Sequence, residues 1–163
     1  MTDYAALLEA LARSKVEFIL VGGAAATAHG SSRLTLDLDI VYSREYDNIQ
    51  RLVPSLAPFQ PYLRGAPLGL PFRWDVETVQ RGLNFTLTTM SGAIDLLGEI
   101  VGGGSYAHLL KDTLVIRIFG IECRCLTLER LIHVKRAAGR PKDLEVIAEL
   151  EAILEERRAR GEA

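Results

Sequence analysis

The chain has 163 residues, enough for one domain, with 48% hydrophobic and 25% charged residues. That balance excludes a disordered or low-complexity polypeptide. Nineteen Lys and Arg against 21 Asp and Glu give a net charge of -2, which excludes binding to nucleic acid by bulk positive charge.

In chain order, residues 3–13 predict an amphipathic helix, with Leu7, Leu8 and Leu11 on one stripe and Asp3 at its start. No basic-then-apolar leader opens the chain and no apolar run reaches 18 residues, so neither a signal peptide nor a membrane span is expected. Val16–Val21 reads as a short apolar strand. Gly22-Gly23 breaks it and opens an Ala-rich helix that stops near His29 and Gly30. Leu34–Tyr42 is the clearest strand, and a helix follows over about 45–56, ending near Pro54 and Pro58. The proline-rich stretch 57–73 predicts an irregular surface loop or lid. Tyr62 and Trp74 border it; partial burial is the commoner use of such aromatics, base stacking the alternative.

Trp74–Gln80 predicts a helical turn, and Leu83–Thr89 and Ala93–Leu97 predict two strands turned at Ser91-Gly92. Gly102-Gly103-Gly104 is a loop before a short helix capped by Ser105. Thr113–Ile118 and Ile121–Leu126 flank Phe119-Gly120, a hairpin signal. Thr127 opens a helix to Ala138, and Pro141 begins a last helix to about Arg158. The expected architecture is α/β (α+β), a mixed sheet flanked by helices, with a core over 1–126 and a C-terminal helical pair over 127–163. Cys123 and Cys125 lie two apart in a strand, too extended to bond each other and too few for a zinc set. Two small semi-buried residues, and a cytoplasmic location, are the expectation.

The chemistry centres on Leu34-Thr35-Leu36-Asp37-Leu38-Asp39-Ile40. Side chains alternate in a strand, so the aliphatic residues from Leu34 to Ile40 make one apolar face and Thr35, Asp37 and Asp39 the other. The two Asp Cα atoms would lie roughly 6.6 Å apart. Carboxylates held that close raise each other's pKa unless a cation joins them, and Mg²⁺ takes such oxygen ligands. An edge strand with two solvated Asp residues is the alternative. Gly22-Gly23 at a strand-to-helix turn suits an anion site, or simply a tight turn. Asp95, in Ala93-Ile94-Asp95-Leu96-Leu97, is a third acid in an apolar strand. If that strand neighbours Asp37 and Asp39, three acids converge and can hold two ions, as in-line nucleotidyl transfer requires.

Basic residues surround these features. Arg33 stands four before Asp37 and is favoured as a phosphate contact. Lys135 and Arg140 flank a helix break that could turn back to the nucleotide, near Lys142. Residues 126–163 nonetheless carry eight basic and eight acidic side chains, so most of these cations are expected on a solvated, paired helix face. His29 is expected to cap its helix, and His108 has no evident partner.

Strand, Gly22-Gly23, helix, then a strand with Asp37-Leu38-Asp39 resembles the DNA polymerase beta-type nucleotidyltransferase superfamily. Val21-Gly22-Gly23 through Arg33, Thr35, Asp37 and Asp39 resembles its small bacterial members, relatives of abortive-infection toxins and minimal nucleotidyltransferase antitoxins. Lys135-Arg136 through Arg140-Pro141-Lys142-Asp143 is similar to their C-terminal pattern. The resemblance implies a nucleotidyltransferase fold, Asp37 and Asp39 on Mg²⁺ with two ions when nucleotide is bound, Gly22 and Gly23 on the triphosphate, and Asp95 helping to activate the acceptor hydroxyl. It implies transfer of NMP from an NTP to an acceptor that is a protein, a tRNA or a small molecule. Two positions depart from the pattern: Ala24 where many active members carry Ser, and Val146 where the toxin-like enzymes carry a further acid. Ala24 favours a second reading, a non-catalytic module with a toxin-like partner protein. The three acids favour the first.

Overall fold

The computed structural model describes residues 2–162. Its first helix, α1 (Tyr4–Arg13), is capped by Asp3, whose carboxylate accepts the Ala6 N–H, and buries Leu7, Leu8 and Leu11. Strand β1 (Phe18–Val21) is buried along its whole length and passes directly into α2 (Gly22–Ala28). Next come β2 (Asp37–Tyr42) and α3 (Tyr46–Leu56). A short edge strand, β3 (Tyr62–Leu63), precedes α4 (Val76–Arg81), β4 (Phe85–Thr89) and β5 (Gly92–Leu97). A two-stranded flap of β6 (Glu99–Ile100) and β7 (Gly104–Ser105) leads to α5 (Tyr106–Leu109). The hairpin β8 (Thr113–Ile118) and β9 (Ile121–Leu126) turns at Phe119 and Gly120, both with positive φ, as a two-residue turn demands. Helices α6 (Leu128–Ala138) and α7 (Pro141–Ala159) finish the chain.

Seven strands form one mixed sheet in the order β3-β4-β5-β2-β1-β9-β8, so the expected α/β architecture is the one observed. β1 runs antiparallel to β2 and parallel to β9, while β2 runs parallel to β5. One continuous core is built from β1, β2, β4, β5 and β9 with the apolar faces of the helices, including Leu131 of α6 and Leu150 of α7. α6 packs on both α7 and α2, which brings the C-terminal helices to the sheet end where β1 stops.

Several boundaries differ from expectation. β2 begins at Asp37, three residues late. Leu38 and Ile40 are fully buried as expected, but Leu34 is 80% and Leu36 65% exposed. The cause is the loss of neighbours. β1 ends opposite Asp39 by turning into α2, and β5 begins opposite Asp37. Backbone carbonyls before that point bond side chains instead: Tyr4 Oη donates to Thr35 O at 2.6 Å and Thr2 Oγ1 to Leu36 O at 2.5 Å. α3 ends at Leu56, between Pro54 and Pro58, as expected, and holds Pro54 inside its last turn. The stretch 57–73 is irregular for most of its length but supplies β3 and a single 3₁₀ turn, Ala57–Phe59. No helix among the described residues is long and apolar enough to cross a membrane.

Candidate active site

The parallel register sets Asp39 directly beside Asp95, with Asp37 two residues back on the same face of β2. One carboxylate oxygen from each of Asp37, Asp39 and Asp95 lies within 4.8 Å of the others. The three acids singled out in the sequence therefore converge. Asp39 is the most constrained. Burial first, then Asp95 and Asp37, push its carboxyl up to about 7, while Lys142 draws it down. Its Oδ1 is buried without a hydrogen-bond partner.

The glycines explain how the backbone comes so close. Gly22 has φ +61, and a Cβ there would fall on the Asp39 carboxylate; at Gly23 it would fall on the Thr35 side chain. Only glycine lets the end of β1 lie against both groups. Ala24 is buried and presents a methyl group to the core.

Beside the acids opens a cavity of about 340 Å³. Gly22, Gly23, Asp37 and Asp39 line it, as do Arg33, Lys135, Arg140 and Lys142. All six residues expected to contact nucleotide thus face one space. The basic residues differ in how committed they are. Arg33 pairs with Glu145 at 3.1 Å, and its other amino group donates to Glu145 O at 3.3 Å. Arg140 makes two bonds to Asp143, at 2.6 and 3.1 Å. Lys135 is buried 3.7 Å from the same carboxylate; desolvation lowers its pKa, and Asp143 opposes that. Burial would raise the Asp143 pKa, but Arg140 and Lys135 hold it below the usual carboxylate range. Lys142 is exposed and has no ion pair among the described residues. The expected paired helix face is seen in Arg136–Glu151, Arg130–Asp112 and Arg158–Glu129.

A second space of about 350 Å³ shares Gly22, Asp39, Lys135, Arg140 and Asp143 but has more apolar walls, from Leu97, Ile100, Leu131 and Val134.

One residue of the site escaped the sequence analysis. Arg64 lies across the acids, with Nη2 2.8 Å from Asp95 Oδ1 and Nη1 3.5 Å from Asp37 Oδ2. Nothing in its proline-rich surroundings signals this. Asp143, already part of the C-terminal pattern, pairs with the basic residues but is almost fully buried at the cavity wall instead of lying on a solvated face. His29 is the C-cap of α2, as expected, with its backbone N–H donating to Ala25 O at 3.1 Å; its ring is used elsewhere, Nε2 donating to Leu126 O at 2.6 Å and Nδ1 accepting from Arg157 at 3.1 Å. His108 does have a partner, since its Nδ1 accepts the Ser105 N–H at 3.2 Å in a capping box at α5. Trp74 and Tyr62 are partly buried, as expected: Trp74 donates to Val53 O at 2.8 Å and packs against the core, while Tyr62 meets Phe72 edge-on.

No protein-family model matches the chain, and no curated protein matches its sequence. Among solved structures, it is similar to a Thermotoga maritima protein described as a "putative nucleotidyltransferase". The TM-score is 0.53 at 15% identity, over 93% of this chain and 89% of that one. At that identity the likeness is one of fold, and the chain has a nucleotidyltransferase-like fold.

Proposed function

We propose that the protein is a metal-dependent nucleotidyltransferase, moving an NMP group from an NTP to an acceptor hydroxyl with release of pyrophosphate. One observation carries this reading: Asp37 and Asp39, two members of a cluster of three carboxylates, line a cavity whose other walls bring in four basic side chains. A site for a hard cation and a site for a polyanion therefore adjoin.

The donor set fits Mg²⁺. All three groups offer carboxylate oxygen, and Asp39 presents a buried oxygen with no hydrogen-bond partner among the described residues. A divalent ion held there would neutralise charge on the transferring phosphoryl group and make an acceptor hydroxyl more acidic. Gly22 and Gly23 let phosphate oxygens approach the backbone, and Lys142, free of ion pairs, faces the same cavity. Lys135 and Arg140 are held by Asp143, so their charges are fixed in place before a ligand arrives. Asp95 would help to activate the acceptor hydroxyl. On this reading the helical pair 127–163 completes the site of the 1–126 core, since α6 supplies Lys135 and α7 supplies Lys142. Cys123 and Cys125 are buried free thiols, which fits a reducing compartment such as the cytoplasm.

The test is transfer of label from each NTP with Mg²⁺, alone and with protein, tRNA and small-molecule acceptors, beside Asp37→Ala/Asp39→Ala. Transfer lost in the double variant supports the enzyme. Nucleotide binding without transfer to any acceptor supports a second reading that Ala24 favours, because a methyl group replaces a hydroxyl beside the glycines: a nucleotide-binding module acting with a toxin-like partner.

A further inference from the structure

Strand β3 is only two residues long, yet the residue after it carries a cation into the middle of the acid cluster. The Arg64 N–H donates to Thr86 O at 3.0 Å, which fixes its backbone beside β4. From there the guanidinium reaches Asp95 at 2.8 Å and Asp37 at 3.5 Å, and Nη2 also donates to Leu87 O at 2.6 Å. Among the described residues, Asp37 and Asp95 have no other ion-pair partner.

This pair differs from an ordinary surface salt bridge. Three carboxylates whose oxygens lie within 4.8 Å of one another repel strongly unless a positive charge joins them. The Arg64 side chain is 28% exposed, so screening is reduced. The charge of the guanidinium leaves the cluster by movement of the side chain. The chain allows such movement next door: Gly65 has φ +77 and open space around it. Beyond it, the segment to Phe72 is folded on Tyr62, whose hydroxyl accepts the Leu70 N–H at 3.2 Å and whose ring meets Phe72.

Resting on the reading that Asp37, Asp39 and Asp95 hold a divalent ion, we propose that Arg64 is the internal counter-cation of that site. It pairs with Asp37 and Asp95 while no ion is bound and gives up those pairs when one binds. Arg64 is thus a positioning residue that keeps the acids together in the metal-free protein and competes with the metal.

Binding of Mn²⁺ alone to the full chain, followed by electron paramagnetic resonance of the free ion, tests this on wild type, Arg64→Gln, Arg64→Lys and Asp37→Asn/Asp39→Asn. Removing a positive charge 2.8 Å from Asp95 and 3.5 Å from Asp37 leaves the full negative charge of the acids to the incoming ion. Arg64→Gln should therefore bind Mn²⁺ on the order of tenfold more tightly or better. Arg64→Lys, which keeps the charge but loses the fork that spans two carboxylates, should fall between. Without metal at pH 8, Arg64→Gln should melt below wild type, and Mn²⁺ should raise its melting temperature more. A mere loop anchor would lower the melting temperature without tightening Mn²⁺. Affinity equal to or weaker than wild type in folded Arg64→Gln overturns the proposal, and unchanged affinity in Arg64→Lys does so should the Gln variant not fold. If no form binds Mn²⁺, or if Asp37→Asn/Asp39→Asn binds it as wild type does, the metal reading falls and takes this proposal with it.

Discussion

Asp39 and Asp143 both line the same cavity, and their environments push their carboxyls in opposite directions. Asp143 is 1% exposed, yet Arg140 and Lys135 face it and its pKa is lowered. Asp39 faces Asp95 and Asp37, keeps a buried oxygen without a partner, and is pushed up to about 7. Desolvation opposes ionisation at both sites, so the neighbours decide the outcome. A buried acid whose cations are built in serves the fold. A buried acid whose neighbours are acids costs the fold stability, and a cation arriving from solution relieves that cost.

The largest effect is expected at the satisfied site. Asp143→Ala leaves Lys135 buried without its counter-charge and frees Arg140. Breaking a buried pair from one side costs about 3–5 kcal/mol, so chemical denaturation should show a loss of that order. A loss below about 1 kcal/mol would mean that the pair is solvated and that the contrast with Asp39 is false. Gly22→Ala follows. The new methyl group would collide with Asp39, and the residue sits at φ +61, a strain of about 1–3 kcal/mol. Because the collision is with a proposed metal ligand, Mn²⁺ binding should weaken along with stability.

Asp39→Asn should act in the opposite direction. An unfolded Asp carboxyl ionises near pH 4, the folded one near 7. Between those values the folded protein holds a proton that the unfolded chain has released. Stability therefore falls as pH rises through this window and is level above it. In metal-free buffer at pH 8, Asp39→Asn should be more stable than wild type by roughly 1–3 kcal/mol. Its advantage should vanish near pH 4, and divalent ions should stabilise wild type but not the variant. Equal melting curves at pH 8 would show that Asp39 pays no penalty for its burial.

The same contrast bears on what could be read from the residues. Periodicity located the helices and the longer strands, because the apolar stripe of α1 and the alternation of Leu38 and Ile40 are local patterns, but not the two-residue strands β3, β6 and β7. It put Asp37 and Asp39 on one face; that Asp95 joins them depended on β5 pairing with β2, a condition the parallel register meets. Where β2 begins was not legible: Leu34 and Leu36 continue the alternation, but their partner strands end before reaching them. Arg64 was hidden for a related reason. A cation 27 residues from Asp37 and 31 from Asp95 meets them only through the pairing of β3 with β4 and β4 with β5. His108 is the opposite case, a local capping bond at three-residue spacing that was open to notice and overlooked.

Lys142 offers the smallest and most discriminating change. It is the cation that draws Asp39 down, and it is exposed and outside the Lys135–Asp143–Arg140 cluster. Removing it as Lys142→Ala should alter stability by less than about 0.5 kcal/mol at any one pH, as for most exposed positions. It should nonetheless move the pH at which metal-free stability levels off upward by a fraction of a unit, because Asp39 loses a favourable charge while Asp143 keeps both of its own. Inorganic triphosphate should also bind more weakly, since this cation is not neutralised within the protein. A shift seen instead in the acid limb, where Asp143 takes up its proton as pH falls, would place Lys142 with the structural cluster and dissolve the distinction between the two carboxylates.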